Sequence, residues 1–255
     1  MTGIQVSLFQ LDNYGPWTVT PEPRPEPDLQ ALQARLYADV AAMIGSRSGY
    51  VFYTRFDNMV AVTNGLELDD HRLLQESVGN RYPVTISLGV ATGRTPVQAL
   101  EDATGVLQAA GSAQDQSRRE ILEGRVIEAP HRTPSDVEIA HFDVNDATGR
   151  YTDELNAFDS FIEIEQGYAA LMAHLRREFD SLAFFVGGDN IIATTPGLEA
   201  ADYTEAIRHV EDRTEIALKV GVGRGATAHA AGMAAKHALE RCRATGDRVE
   251  IDGAR

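Results

Sequence analysis

Four aspartates stand where short apolar runs break off. Ile4 to Leu11 runs into Asp12 and Val137 to Phe142 into Asp143, while Tyr50 to Phe56 leads to Asp57-Asn58 and Leu182 to Gly188 to Asp189-Asn190. Strands end at rims, so two carboxylates meeting at one rim form a hard, oxygen-only site. Magnesium is bound in this manner, through one or two carboxylates together with substrate phosphates and water. The spacing predicts two such pairs, Asp12 with Asp57 and Asp143 with Asp189. A single Gly-Asp-Asn reads more simply as a turn, because Asn tolerates positive φ. A strand-end Asp at matching distance in both places favours a site.

The matching distance is itself the signature of an internal repeat. Asp12 and Asp143 are 131 residues apart and Asp57 and Asp189 are 132 apart; Ile86-Ser87-Leu88-Gly89-Val90 and Leu218-Lys219-Val220-Gly221-Val222 are also 132 apart. Between these landmarks, apolar residues recur at helical spacing: Leu29, Leu32, Leu36, Val40 and Met43 in one copy, Ile164, Tyr168, Leu171, Met172 and Leu175 in the other. Pro27-Asp28 is a helix start. Each copy closes on an Ala-rich helix, Val97 to Ala110 and Ala228 to Cys242.

The resulting order is strand, helix, strand, strand, helix, strand, helix. This is the split βαβ pattern, an α+β module with an antiparallel sheet and helices on one face. The first and second strands are expected side by side, with the Asp-Asn pairs in the hairpin between the two central strands. The stretch Gly124 to Asp136, with Pro130 and Pro134, marks the boundary, giving domains 1–128 and 129–255.

Composition narrows the partners. A formal charge of −15 repels nucleic acid and anionic membranes. Lys occurs only at positions 219 and 236, and this depletion beside an acidic excess suits a salt-rich interior, where carboxylates keep a surface hydrated. Cys242 is the only cysteine, so neither an intramolecular disulfide nor a Cys-rich zinc site can form. No run approaches the roughly 20 apolar residues that span a bilayer, and the start of the chain has no signal-peptide pattern. A cytoplasmic protein is expected, with a homo-oligomer left open.

Around the acids, Asp12-Asn13-Tyr14-Gly15-Pro16-Trp17-Thr18 and Asp143-Val144-Asn145-Asp146-Ala147-Thr148-Gly149 are loops whose amides could cradle phosphate, or ordinary connections. Trp17 suits base stacking or core cover alike. Lys219 could meet phosphate or base. His141 beside Asp143 reads as a packed strand residue, and Gly221-Val222-Gly223-Arg224-Gly225 lacks the dinucleotide-binding spacing.

Gln10 through Thr18, Arg55-Phe56-Asp57-Asn58-Met59, Asn80-Arg81-Tyr82-Pro83, Gly111-Ser112-Ala113-Gln114-Asp115 and Phe184-Phe185-Val186-Gly187-Gly188-Asp189-Asn190 together resemble archaeal GTP cyclohydrolase III, also called GTP cyclohydrolase IIa. The resemblance covers nearly the whole chain. It implies a tandem ferredoxin-like or palm module, βαββαβα, akin to nucleotide cyclases and GGDEF domains.

It also implies opening of the imidazole ring of GTP at C8 with the formyl group retained, and hydrolysis of the triphosphate to a monophosphate with release of two phosphates. The product is a formylamino-pyrimidine ribosyl phosphate for archaeal flavin and deazaflavin synthesis. Implied metal ligands are Asp143, Asp189 and the Val144 carbonyl first, then Asp12 and Asp57, with two or more magnesium ions and no zinc. A monovalent cation is a further option. Implied substrate contacts are Asn13, Tyr14, Gly15, Trp17, Asn58, Gly188, Asn190 and Lys219, paired Asn amides offering donor and acceptor to the guanine edge. A nucleotide cyclase and a non-catalytic GTP sensor are the competing readings.

Overall fold

The computed structural model of the chain describes residues 3–128, 137–145 and 153–252. The chain divides into two compact units, Met1–Arg94 with Gln98–Thr133, and Thr95–Val97 with Pro134–Arg255. The boundary prolines Pro130 and Pro134 lie outside the described residues, as do Asp146 to Gly149 of the second predicted loop.

The first unit runs β1 (Ile4–Leu11), α1 (Tyr14–Val19), α2 (Glu26–Gly45), β2 (Tyr50–Arg55), β3 (Asn58–Val62), α3 (Leu68–Arg81), β4 (Ile86–Gly93), α4 (Pro96–Ala109) and β5 (Leu122–Gly124). Its sheet has the order β2-β3-β1-β4-β5. The second unit runs β6 (Val137–Val144), α5 (Ala157–Glu178), β7 (Leu182–Gly187), β8 (Asn190–Thr195), α6 (Ala200–Thr214), β9 (Leu218–Gly225), α7 (Ala228–Thr245) and β10 (Val249–Asp252), with the order β10-β9-β6-β8-β7. Both are α+β, and the second repeats the first.

The first strand pairs with the third, not the second as expected: β1 is antiparallel to β3 and to β4. The α2 crossover carries the chain one position beyond β1, and the β2–β3 hairpin then returns β3 into the gap. The rim geometry survives this change because Asp57 sits in the turn leading into β3. Its carbonyl accepts from the Leu11 amide at 2.9 Å.

Helices cover both faces of each sheet rather than one. Phe9, Leu11 and Leu88 pack with Leu36, Val40, Leu74 and Val78 from α2 and α3. Strand neighbours point to opposite faces, so Gly89, next to Leu88, faces the other way, where an added Cβ would meet the Ala103 carbonyl of α4 at 2.2 Å. The second unit repeats the arrangement: Phe142, Val220 and Val222 pack on α5 and α6, while Gly221, Gly223 and Gly225 lie under α7. Glycine on the strand and alanine on the helix let two backbones approach, which is the reason for the Ala-rich closing helices. The short parallel edge strands β5 and β10 were not anticipated; three or four residues are too few for a periodic signal to stand out.

A Cβ at Gly221 would stand 2.1 Å from the Leu239 amide nitrogen and 2.3 Å from the Ala235 carbonyl oxygen, whereas nothing lies within 4 Å at Gly105 on α4. Gly221→Ala is therefore expected to destabilise by about 1–3 kcal/mol, and Gly105→Ala to stabilise by about 0.5–1 kcal/mol, as read by chemical denaturation.

Candidate functional site

The strand register settles which residues of the two copies correspond. Asp143 on β6 stands opposite Asn190 on β8 and Lys219 on β9. In the first copy the residue opposite Asn58 on β3 and Ser87 on β4 is Gln10. The counterpart of Asp143 is thus Gln10, and Asp12 lies two positions further on, beyond the end of β1. The 131-residue match of Asp12 to Asp143 is corrected: acidic identity suggested an alignment that the ladder does not keep. A slip of two preserves the face of the sheet, so apolar pattern alone could not expose it.

The buried polar hubs confirm the register. Gln5 bonds Thr63 and the Leu66 carbonyl, and Glu138 bonds Thr195, the Leu198 amide and Tyr203.

The two acidic sets consequently differ in kind. Asp12 has a fully buried side chain whose oxygens accept from Thr85 Oγ1 at 2.9 Å, Ser87 Oγ at 2.6 Å, Arg118 Nη1 at 3.2 Å and the Glu120 amide at 2.9 Å. Four donors occupy this carboxylate. Asp57 is half-exposed, bridged by Arg55 at 3.1 Å and by the Asn58 amide at 2.9 Å.

In the second copy Asp143 and Asp189 converge. Asp189 titrates above the ordinary carboxylate range, chiefly because burial penalises its charge and further because Asp143 lies beside it, close enough to share a hydrogen bond. Asp143 is buried; Lys219 Nζ reaches Oδ2 and Arg243 Nη2 reaches Oδ1, each at 2.9 Å. Lys219 also donates to Asn145 Oδ1 at 3.1 Å. Val144, the expected backbone ligand, ends β6 opposite Leu218.

The hairpin beside Asp189 is open. Gly187 and Gly188 adopt φ of 111° and 65°, which L side chains rarely adopt. An added Cβ at Gly187 would meet nothing within 4 Å. The first copy places Arg55 and Phe56 there, with exposed side chains, and Phe56 packs on Tyr53 at 4.8 Å. The second copy alone leaves main-chain amides approachable by a bulky anion.

The remaining expected contacts lie in the first unit, next to Asp12. Asn13 is left-handed at φ 52° and its amide donates to the Ala113 carbonyl at 2.6 Å. Tyr14 and Trp17 stack at 5.9 Å, and Arg24 lies 4.0 Å over the Trp17 ring. Gly15 touches Gln114, which an added Cβ would meet at 2.5 Å. A cavity of about 170 Å³ is bounded by Asn13, Trp17, Tyr82, Pro83, Thr85 and Arg119.

Sequence reasoning missed Arg118 and Arg243. Arg118 gave no signal, being a loop residue 106 positions from its partner. Arg243 had one: it continues the four-residue step Ala231, Ala235, Leu239 along the strand-facing stripe of α7.

Among the described residues no group of three or more His, Cys, Asp and Glu is placed to hold a metal, and no helix is long and apolar enough to cross a membrane. The donor set in the second copy is the carboxylates of Asp143 and Asp189. That fits a hard divalent ion which completes its shell with phosphate and water. Asp12, with four donors already bound, offers no free lone pair in comparable number.

The fold and rim define a tandem split-βαβ protein in which one copy gathers two carboxylates at a strand rim. The chain belongs to the GTP cyclohydrolase III family, whose profile matches residues 6–252. It is 65% identical over 251 residues to a GTP cyclohydrolase III of Natronomonas pharaonis, covering 98% of this chain and 99% of that protein. It is 45% identical over 240 residues to one of Methanocaldococcus jannaschii, covering 94% and 88%. A GGDEF domain of DgcB from Caulobacter crescentus overlaps at a TM-score of 0.39 with 15% identity, covering 46% of this chain and 76% of that one.

The contrast between the acids is measurable. Asp12→Ala leaves the Arg118 guanidinium buried without its partner and is expected to cost about 3–5 kcal/mol in denaturation. Asp189 has a folded pKa above its unfolded one, so its ionisation costs stability as pH rises through the raised value and costs nothing below the ordinary carboxylate range. Asp189→Asn is expected to raise the melting temperature of metal-free protein at neutral pH and leave it unchanged at low pH.

Proposed function

We propose that this chain is a magnesium-dependent GTP cyclohydrolase that opens the guanine imidazole ring at C8, retains the formyl group and hydrolyses the triphosphate to a monophosphate. The observation that carries the reading is the Asp143–Asp189 pair, two carboxylates brought to one strand rim by the pairing of Asp143 with Asn190, beside two cations and an open Gly-Gly turn. Family membership supplies the reaction class, and the product would enter archaeal flavin and deazaflavin synthesis.

Asp143, Asp189 and the Val144 carbonyl hold the magnesium in this reading. Asp12 serves instead to tie the loop carrying Arg118 to the end of β1. When bound, magnesium offsets the charge of the phosphate chain and acidifies water. Lys219 and Arg243, each already 2.9 Å from Asp143, place positive charge beside that chain. The Gly188 amide contributes a donor to it, and Asn190 keeps Asp189 oriented through a 3.0 Å hydrogen bond.

In the first unit, Asn13 and Trp17 edge a cavity of a size for a planar heterocycle rather than a whole nucleotide, with Trp17 as the stacking surface; Tyr14 and Gly15 shape its loop. The Lys-poor, acidic composition fits a halophilic cytoplasm.

Incubation with GTP and magnesium in high-potassium buffer is expected to release two orthophosphates per GTP and to bleach the guanine absorbance, with both signals lost on chelation. Asp143→Asn is expected to reduce turnover by about 100-fold or more, corresponding to several kcal/mol of lost charge stabilisation. Pyrophosphate release with an intact guanine spectrum would establish a cyclase instead, and binding without turnover a sensor.

A further inference from the structure

The duplicated module contains its own control for the residues around Asp189. In the first copy Asn58 Nδ2 donates to Asp57 Oδ1 at 2.9 Å, and Asn58 Oδ1 accepts in turn from Gln10 Nε2 at 3.3 Å. The second copy keeps the first half of this chain, Asn190 Nδ2 donating to Asp189 Oδ1 at 3.0 Å. The second half cannot be kept, since the counterpart of Gln10 is Asp143, and an ionised carboxylate has no hydrogen to give.

His141 fills that gap. It lies two positions before Asp143 on β6, so both side chains share one face of the sheet, and its Nε2 is 2.9 Å from Asn190 Oδ1. The first-copy counterpart of His141 is Leu8 (Leu8 pairs with Val60 and Gly89, His141 with Ile192 and Gly221). The fold therefore does not require a polar residue here. Leu8 and His141 are equally buried, each 8% exposed.

We infer that His141 is a positioning residue for the metal site, donating from Nε2 to Asn190 Oδ1 so that the Asn190 amide keeps its NH₂ turned toward Asp189. It takes over the donor role of Gln10 and thereby frees the strand-end position for the second carboxylate. The inference rests on the reading of Asp143 and Asp189 as ligands of a divalent ion. Two features of hydrogen bonding fix its direction. Asp189 takes the amide hydrogen, so the oxygen of Asn190 faces His141; the ring must then carry its hydrogen on Nε2.

Manganese titration of nucleotide-free protein, followed by electron paramagnetic resonance, tests this with His141→Leu and His141→Gln. Leucine reproduces the first-copy residue and cannot donate, while glutamine supplies an amide donor as Gln10 does. His141→Leu is expected to weaken manganese binding by about 10- to 100-fold, the range for outer-shell partners of a metal site. His141→Gln is expected to bind within about threefold of the wild type, because the donor is restored.

Wild-type affinity in His141→Leu would overturn the inference alone. So would a glutamine variant as weak as the leucine one. A wild-type protein that binds no manganese would overturn this inference together with the proposed metal site. Should His141→Leu melt at a markedly lower temperature, ¹⁵N resonance of the wild-type ring decides the matter: a hydrogen on Nε2 supports the proposal, and a bare Nε2 overturns it.

Discussion

Two like charges held at the end of a sheet are the constraint on which the second copy is organised. Asp143 and Asp189 would separate if free to do so. The antiparallel ladder forbids it, because Asp143 is paired in register with Asn190, the residue after Asp189. Burial and the neighbouring carboxylate both disfavour the Asp189 anion. The strain is relieved only in part by Lys219 and Arg243, which bind Asp143 and not Asp189. In the proposed reading a divalent cation relieves it fully, and the flanking cations and the open Gly-Gly turn serve a polyanion.

Duplication followed by divergence accounts for the rest. Both copies keep the interior hub on the central strand, Gln5 in one and Glu138 in the other, gripping a threonine and the backbone near a leucine at equivalent positions. They also keep a polar partner from the following helix, where His71 contacts Ser7 at 2.8 Å and Tyr203 contacts Glu138 at 2.8 Å. The interiors are constrained by the need to satisfy buried polar groups. At the rims the buried acids are satisfied by different partners in the two copies, and the rims have separated in role. One holds its nearby acid in a four-donor anchor around Asp12, and the other sets a buried Asp143, bound by Lys219 and Arg243, beside the partly buried Asp189.

Much of this was legible in the amino-acid sequence. The repeat, the hairpin positions of Asp57 and Asp189, and the Ala-rich closing helices follow from spacing and residue type, which act locally. Strand order did not, because whether β2 or β3 lies beside β1 depends on a crossover that leaves no mark on periodicity. The correspondence of Asp143 with Gln10 was hidden for a related reason: a two-residue shift leaves every side chain on its own face. Arg118 at Asp12 was beyond reach, since nothing local ties a loop arginine to a strand end. His141 was visible and was read as packing, and only its Asn190 contact separates it from Leu8.

The claim that the two acidic sets have parted roles can be tested in a single diffraction experiment. Crystals of the wild-type protein grown with manganese and a non-hydrolysable GTP analogue should show anomalous scattering between Asp143 and Asp189, with none between Asp12 and Asp57. Manganese at Asp12, with Arg118 displaced, or no manganese between Asp143 and Asp189, would contradict the account.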